Sequence, residues 1–169
     1  VAAMCGRFVS SSAPDEIARY FDADETSEQA LEHQPNFNTA PTTDVFVVYQ
    51  DGATRRLDAF HWGLVPRWAK DLSIGNRMIN ARAETVASKP SFRSAFAKRR
   101  CIVPVDGFYE WKAPPPGEKK KQPYFIHRPD GERSDPREDR AARIRARCQF
   151  ANVPAVVTAS RSERVHHLL

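Results

Sequence analysis

The chain has 169 residues, of which 41% are hydrophobic and 28% are charged, a composition typical of a globular domain that is large enough to bury a core. Its formal net charge of +5 at pH 7 favours a polyanionic partner without identifying one. The sequence has no bilayer-length apolar run, no signal-type N-terminus and only three widely spaced cysteines, so we expect a cytoplasmic protein without a membrane partner, a disulfide framework or a metal.

The first half of the chain predicts one helix and one hairpin. Ser12 precedes a proline, two acidic residues and a set of apolar residues at helical spacing, which is typical of a helix with an N-cap. The β-branched and aromatic residues 45–49 are followed by the turn sequence Asp51-Gly52. Because residues 55–62 form a second strand-like run after this turn, we predict a hairpin.

The second half predicts another helix and several short strands. Ser91 is the predicted N-cap of a helix whose apolar residues lie one turn apart. Further strands are predicted at 101–103, 108–111 and 124–126, with an exposed loop rich in proline and lysine at 113–122. The predicted fold class is therefore α+β, with a curved, mainly antiparallel sheet or open β-barrel and a few short helices.

The C-terminal segment differs in composition from the rest of the chain. Residues 132–147 contain six arginines and four acidic residues, with Ile144 as their single large aliphatic residue, so they cannot supply a core. We predict either a charged helix followed by a weak strand at 153–158, or sequence that does not belong to the fold. We accordingly divide the chain into a domain at 1–131 and an atypical segment at 132–169.

Cys5 is the first candidate for chemistry, because it follows Met4 and a methionine before a small residue is a usual substrate for initiator removal. Once residues 1–4 are removed, the cysteine has an α-amine with a pKa of ~7.7–8.0 beside a thiol with a pKa of ~8.5, so both are partly deprotonated at neutral pH. Such a pair captures an aldehyde, since the amine forms a Schiff base and the thiol then closes a thiazolidine. The alternative for a single cysteine is a small buried side chain.

Other clusters place polar and aromatic groups where they can take part in binding or catalysis. Asn38 lies in a turn-prone stretch and can orient a reacting carbonyl. Trp62 and Trp68 are six residues apart, so they form either an aromatic shelf for stacking bases or part of the core. Glu110 lies between two aromatic residues and is a candidate for proton transfer.

A further cluster combines an asparagine with a basic and an acidic residue. Asn80, Arg82 and Glu84 occupy alternate positions, so in a strand they would share one face. On that face they would bind a phosphate or one another, and an ordinary surface salt bridge would have the same sequence.

Six motifs in this order resemble the SOS response-associated peptidase (SRAP) family: MCGRF, FNTAPT, HWGLVPRW, INARAET, CIVPVDGFYEW and KQPYFI. The match runs from Met4 to about Gly131. The resemblance implies an SRAP-like fold and a sensor of abasic sites in single-stranded DNA that crosslinks to the ring-opened sugar aldehyde through its N-terminal cysteine. It also implies an autopeptidase that trims the N-terminus. We expect no cofactor, and a monomer that associates with the nucleoid when bound to DNA.

The resemblance also implies roles for individual residues. Cys5 matches the crosslinking nucleophile, Asn38 the asparagine that orients the adduct, and Glu110 the glutamate that moves protons as the sugar opens. The residues predicted to contact DNA are Arg7, Trp62, Trp68, Asn80 and Arg82. Because an abasic site has no base edge to read, the contacts are expected to be independent of sequence.

The histidine pattern departs from the family. Members carry a histidine in an H-x-R-x-P context as a general acid or base, and this motif is not found here. His166 is a candidate replacement, whereas His33, His61 and His127 are interpreted as structural or surface residues. The arginine-rich stretch before His166 is typical of a shifted reading frame, and such a shift would impair stability or catalysis.

Three other interpretations remain open from the sequence. An N-terminal-nucleophile amidohydrolase also begins with Met-Cys-Gly, although no second cluster of glycines and acidic residues is present here to hold glutamine. A non-covalent single-strand binder would use the two tryptophans and the basic loops. A degraded product of a damaged gene would retain the motifs without the activity.

Overall fold

The computed structural model describes residues 6–82 and 84–127, together with the backbone of residues 148–149 and 164–167. The strands are β1 (Phe8–Ser10), β2 (Glu25–Thr26), β3 (Asn36–Thr39), β4 (Asp44–Asp51), β5 (Thr54–His61), β6 (Cys101–Ile102), β7 (Gly107–Lys112), β8 (Gln122–His127), β9 (Cys148–Gln149) and β10 (Arg164–His167). The helices are α1 (Pro14–Tyr20), α2 (Glu28–Glu32), α3 (Arg93–Lys98) and a 3₁₀ helix at Leu72–Arg77. Cys5 and the predictions for residues 132–147 and 153–158 lie outside the described residues.

The described strands form two five-stranded sheets. Sheet A has the order β10-β8-β7-β1-β3, and sheet B has the order β2-β5-β4-β6-β9. The pairing of β2 with β5 is parallel, and the other pairings between described strands are antiparallel. The predicted α+β class with mainly antiparallel strands and short helices is therefore confirmed, and the described part of the chain contains no closed barrel.

Strand β4 is buried on both faces, which explains its unbroken apolar sequence. Val45 and Val47 join a cluster between the two sheets, whereas Phe46 and Val48 join a second cluster on the other face of sheet B. The cluster between the sheets consists of Phe8, Val45, Val47, Trp62, Leu64, Ala81, Val86, Phe92, Ala95, Cys101 and Val103. The second cluster is completed by Ile17 of α1, Ala30 of α2, and Leu57. Burial of these side chains holds sheet A, sheet B and the two helices together.

The predicted hairpin is confirmed as β4 and β5. The two strands pair from Asp44 opposite His61 to Asp51 opposite Thr54, which leaves a loop of two residues. Gly52 begins this loop with φ of 59°, a conformation that glycine adopts without steric strain.

Both predicted helix caps are wrong by one residue. Helix α1 has Ala13 rather than Ser12 as its N-cap, and helix α3 has Phe92 rather than Ser91. Helix α2 and the 3₁₀ helix were not predicted, because each is too short for a helical period to stand out in the sequence. No helix in the described part of the chain is long and apolar enough to cross a bilayer.

Ser12 is not a cap because it contributes to a different contact, centred on Asp106. One carboxylate oxygen of Asp106 accepts hydrogen bonds from the Ser11 N–H (2.6 Å), the Ser12 N–H (3.0 Å) and the Ser11 hydroxyl (3.0 Å). The other accepts from the Ser12 hydroxyl at 2.5 Å, while the Asp106 N–H donates to the Val9 carbonyl at 2.9 Å. Asp106 therefore fastens the end of β1 to the loop before β7.

Replacing Asp106 with alanine is expected to lower the free energy of unfolding by about 1–3 kcal/mol, because four donors lose a charged acceptor that water replaces only in part. Urea unfolding monitored by circular dichroism measures this difference. Glu118→Ala, in the exposed loop, is the matched control and should leave the midpoint unchanged. Equal midpoints for Asp106→Ala and the unmodified protein would contradict the assignment.

His33 is a structural residue, as the sequence indicated. Its ring packs edge-on against Phe46 with ring centroids 4.7 Å apart. Burial lowers the pKa of His33 below its usual value of 6.5, and the nearby carboxylate of Asp44 opposes this effect without cancelling it. The folded protein therefore favours the neutral imidazole.

This lowered pKa predicts a pH dependence of stability. Below about pH 6.5 the unfolded chain binds a proton at His33 that the folded protein resists, so the free energy of unfolding should fall as the pH decreases toward the folded pKa. Urea unfolding at roughly pH 7.5 and 5.5 measures the change. His33→Gln should reduce this pH dependence, whereas His61→Gln, at an exposed position, should retain it. An unchanged dependence in His33→Gln would contradict the prediction.

Candidate functional site

The predicted nucleophile precedes β1, which lies between β3 and β7 in sheet A. Phe8 of β1 is opposite Thr39 of β3 on one side and Phe108 of β7 on the other. The pairing with β7 continues before the strand begins, because the Tyr109 N–H donates to the Arg7 carbonyl at 2.9 Å. The chain segment next to the nucleophile is thus flanked by two strands that both carry predicted site residues.

The side chains of Arg7, Asn38 and Tyr109 form a polar cluster at this end of sheet A, which we call the β1-entry cluster. Arg7 Nη1 donates to Asn38 Oδ1 at 3.1 Å. The Tyr109 hydroxyl donates to the Phe37 carbonyl at 3.0 Å, and the Asn38 N–H donates to Asn36 Oδ1 at 2.9 Å. These contacts connect all three strands, so β3 is held in place by hydrogen bonds from β1 and β7 as well as by its own turn.

Glu110 lies on the other side of sheet A from the β1-entry cluster. Phe108 of β7 packs against the cluster between the sheets, whereas Tyr109, the next residue, packs against Phe125 of β8 with ring centroids 5.2 Å apart. Because successive strand residues point to opposite faces, Glu110 shares the face of Phe108 and the buried Phe8. The structure therefore brings Asn38 and Arg7 into contact, while Glu110 is next to them in the sheet but faces the core side.

Trp62 is a core residue, so the predicted aromatic shelf is wrong for this tryptophan. Its side chain is 3% exposed, and its ring lies 5.1 Å from that of Phe8. The indole Nε1 donates to the Ile79 carbonyl at 2.9 Å. This contact sets Ile79 and the following Asn80 on the side of β1 that Glu110 also faces.

Trp68 and Arg82 are both exposed, and Arg82 lies at the start of a helical turn. The Trp68 side chain is 61% exposed. Asn80, Arg82 and Glu84 do not lie in a strand, because the Arg82 carbonyl accepts hydrogen bonds from the N–H groups of Thr85 and Val86, as in a helical turn. The three polar side chains therefore do not alternate along one strand face.

The candidate replacement histidine falls in the last described strand. Residues of β10 pair with β8, which places His166 opposite Phe125 in the register. His127, also in β8, stacks on Phe125 with ring centroids 5.0 Å apart. The role of His166 stays a prediction.

The described residues contain no group of three histidine, cysteine or acidic side chains arranged to hold a metal. A cleft of about 60 Å³ opens on sheet B and contains none of the predicted site residues. It is lined by Glu25, Thr26, Ser27, Arg56, Leu57 and Asp58. This cleft is therefore separate from the candidate site at the start of β1.

Two residues of the β1-entry region were missed from the sequence. In the sequence Tyr109 stands out only as an aromatic neighbour of Glu110, although a tyrosine hydroxyl on a strand beside a polar motif is a signal for a hydrogen bond. Phe37 stands out only as part of the motif FNTAPT, and no sequence signal indicates that its side chain is 66% exposed.

Comparison with known proteins gives a consistent result. The sequence model described as "SOS response associated peptidase (SRAP)" matches residues 4–135. Among curated proteins, the chain is 50% identical over 109 residues to the abasic site processing protein YoaM of Bacillus subtilis, covering 64% of this chain and 48% of that protein. It is 34% identical over 131 residues to the abasic site processing protein YedK of Escherichia coli, covering 76% of this chain and 56% of that protein.

Solved structures show the same fold. A crystal structure of a protein from Bacteroides thetaiotaomicron superposes with a TM-score of 0.63 at 26% identity, covering 75% of this chain and 55% of that one. A phage-related protein from Bordetella bronchiseptica superposes with a TM-score of 0.55 at 31% identity, covering 73% of this chain and 55% of that one. The chain spans about half the length of the curated relatives it matches.

Proposed function

The chain belongs to the SOS response associated peptidase family, and from this premise we propose that it captures abasic sites in single-stranded DNA as a covalent thiazolidine through Cys5. The names of its relatives as abasic site processing proteins support the lesion as the target. Capture would shield the lesion, because the reactive aldehyde is consumed in the adduct.

The position of β1 is the observation that carries this proposal. Cys5 is two residues from Arg7, and chain connectivity alone keeps their Cα atoms within about 7 Å of each other. Arg7 in turn donates to Asn38, and its carbonyl is bonded to the strand that carries Glu110. Residue 5 is therefore joined to a segment that carries a guanidinium bonded to an amide, and that segment pairs with the strand whose Glu110 lies on the opposite face of sheet A.

The proposed chemistry has two steps. The α-amine of Cys5 attacks the C1′ aldehyde of the ring-opened sugar, and loss of one water gives a Schiff base. The Cys5 thiolate then adds to the same carbon, the nitrogen gains a proton, and the five-membered ring closes. Glu110 is proposed to transfer the protons that leave with water and return to nitrogen, and Asn38 to orient the adduct by hydrogen bonding.

A free α-amine at residue 5 requires removal of residues 1–4. We infer that this trimming is the peptidase activity to which the family name refers, with the cysteine as its product terminus. The amine is essential to the first step, because an acylated nitrogen cannot form a Schiff base.

Binding to the DNA backbone is proposed to involve Arg7 and Arg82, with Trp68 available for stacking on a base. Both arginines are charged at any physiological pH and contact phosphate without reading sequence. Affinity should fall steeply with salt concentration, because phosphate contacts release counterions.

Denaturing gel electrophoresis tests the proposal with two matched oligonucleotides. One carries a single abasic site with its aldehyde, and the other carries tetrahydrofuran, which has the same shape but no aldehyde. A band that resists denaturation is expected only with the first. Salt-sensitive binding to both oligonucleotides without any resistant band would instead identify a non-covalent single-strand binder.

A further inference from the structure

Phe37 is an aromatic side chain held in an exposed position at the edge of sheet A. It lies in β3, the last strand of the sheet as described, and its side chain is 66% exposed. Single exposed hydrophobic side chains are common on protein surfaces, and the described part of this chain has six large ones, so the surroundings of this ring are the informative observation.

The backbone that carries this ring is fixed by its neighbours. The Tyr109 hydroxyl donates to the Phe37 carbonyl, and the Asn36 side chain accepts from the Asn38 N–H. Arg7 donates to the side chain of Asn38. Phe37 is thus flanked by two residues that hydrogen bonds hold in place, which limits the entropy lost when a ligand packs against the ring.

The charge beside Phe37 favours a nucleic acid over a protein as the occupant. The Arg7 guanidinium has five N–H donors and uses one of them on the side chain of Asn38, the residue that follows Phe37. An exposed aromatic residue and an arginine on adjoining positions of one site are a combination with which single-stranded nucleic acids are bound, the ring stacking on a base and the guanidinium contacting phosphate.

We propose that Phe37 stacks on the nucleobase adjacent to the abasic site and so positions the lesion at the N-terminus of β1. This inference rests on the proposed function, since it assigns a base-stacking subsite to the same site. An abasic nucleotide leaves its neighbouring base without a stacking partner on one side, and Phe37 supplies that partner. Stacking accepts any base, so the subsite adds affinity without adding sequence preference.

Equilibrium binding tests the inference without relying on the covalent step. Fluorescence anisotropy is measured with two single strands, one carrying a tetrahydrofuran flanked by adenines and the other carrying three consecutive tetrahydrofurans, which removes both neighbouring bases. Phe37→Ala is expected to bind the first about 5- to 100-fold more weakly than the unmodified protein. On the second strand the two proteins should bind equally, and Phe37→Trp should bind the first strand at least as well as the unmodified protein.

Leu31→Ala is the matched control, because Leu31 is 60% exposed but lies in α2, which packs against sheet B. It should bind both strands like the unmodified protein. Thermal melting of each variant checks that the fold is retained, which an exposed position should allow.

Two results would overturn the inference: equal binding of Phe37→Ala and the unmodified protein on the adenine-flanked strand, or a loss that persists on the strand without neighbouring bases. Failure of the proposed function gives a different pattern. In that case the unmodified protein forms no resistant adduct with an aldehyde-bearing strand, while the effect of Phe37→Ala on non-covalent binding remains.

Discussion

Replacing Cys5 with alanine is expected to abolish the denaturation-resistant adduct, a loss of at least about 1,000-fold in its rate of formation, because no other group can close the thiazolidine. When this variant is produced with residue 5 as its first residue, the α-amine is retained, so the Schiff base still forms and remains reversible. Borohydride should therefore trap Cys5→Ala on the abasic strand, whereas without reduction no adduct should survive denaturation.

Cys101→Ala is the control for this experiment. Cys101 is buried in the cluster between the sheets, so its thiol is not available to DNA in the folded protein. The control should form the adduct at a rate close to that of the unmodified protein. A resistant adduct in Cys5→Ala, or its loss in Cys101→Ala with the fold intact, would contradict the assignment of the nucleophile.

Replacing Glu110 with glutamine is expected to slow adduct formation by about 100-fold or more, because glutamine keeps the shape of the side chain but cannot exchange a proton. Single-turnover kinetics at saturating oligonucleotide measures the rate directly, and anisotropy on a tetrahydrofuran strand measures affinity separately. The loss should fall on the rate and not on the affinity, since Glu110 faces the core side of sheet A and is not among the predicted DNA contacts.

Glu118→Gln provides the matched control for Glu110→Gln, because it makes the same chemical change in the exposed loop before β8. It should leave both rate and affinity unchanged. An equal rate for Glu110→Gln and the unmodified protein across the pH range would remove Glu110 from the proton-transfer step and leave it a structural role.

Structure that depends on neighbours along the chain could be predicted from the sequence. The hairpin of β4 and β5 could be predicted because alternating apolar residues and a glycine turn are local signals. The contact of Arg7 with Asn38 agrees with the placement of both residues at the site, although two residues 31 positions apart gave no indication of the hydrogen bond itself.

The role of a residue could not be predicted from the sequence where tertiary contacts decide it. Trp62 and Trp68 look equivalent in the sequence, but one is enclosed between Phe8 and Ile79 while the other is exposed. Ser12 is a residue type that caps helices, yet its hydroxyl donates a hydrogen bond to Asp106, far along the chain. In each case the competing partner is distant in sequence, so no local pattern could reveal it.

The face occupied by Glu110 shows the same limit on a finer scale. Its motif predicts a strand, and a strand assigns neighbouring residues to opposite faces, but the packing of Phe108 against the cluster between the sheets decides which face is which. Because Phe108 is opposite Phe8 and the Phe8 ring packs on Trp62, Glu110 lies on the Trp62 side of sheet A, away from the contact of Arg7 with Asn38. Comparing Asn38→Ala with Asn80→Ala in the kinetic assay described for Glu110 tests which of the two asparagines orients the adduct.

Intact mass spectrometry of the protein, before and after incubation with a single strand carrying one abasic site, tests the central claim most directly. The account predicts a protein that begins at Cys5 and gains the mass of the oligonucleotide less one water, the balance required when an amine and a thiol both bond to one aldehyde carbon. A protein that begins at Cys5 and gains no mass would contradict the account, as would one that retains residues 1–4 and still forms the adduct.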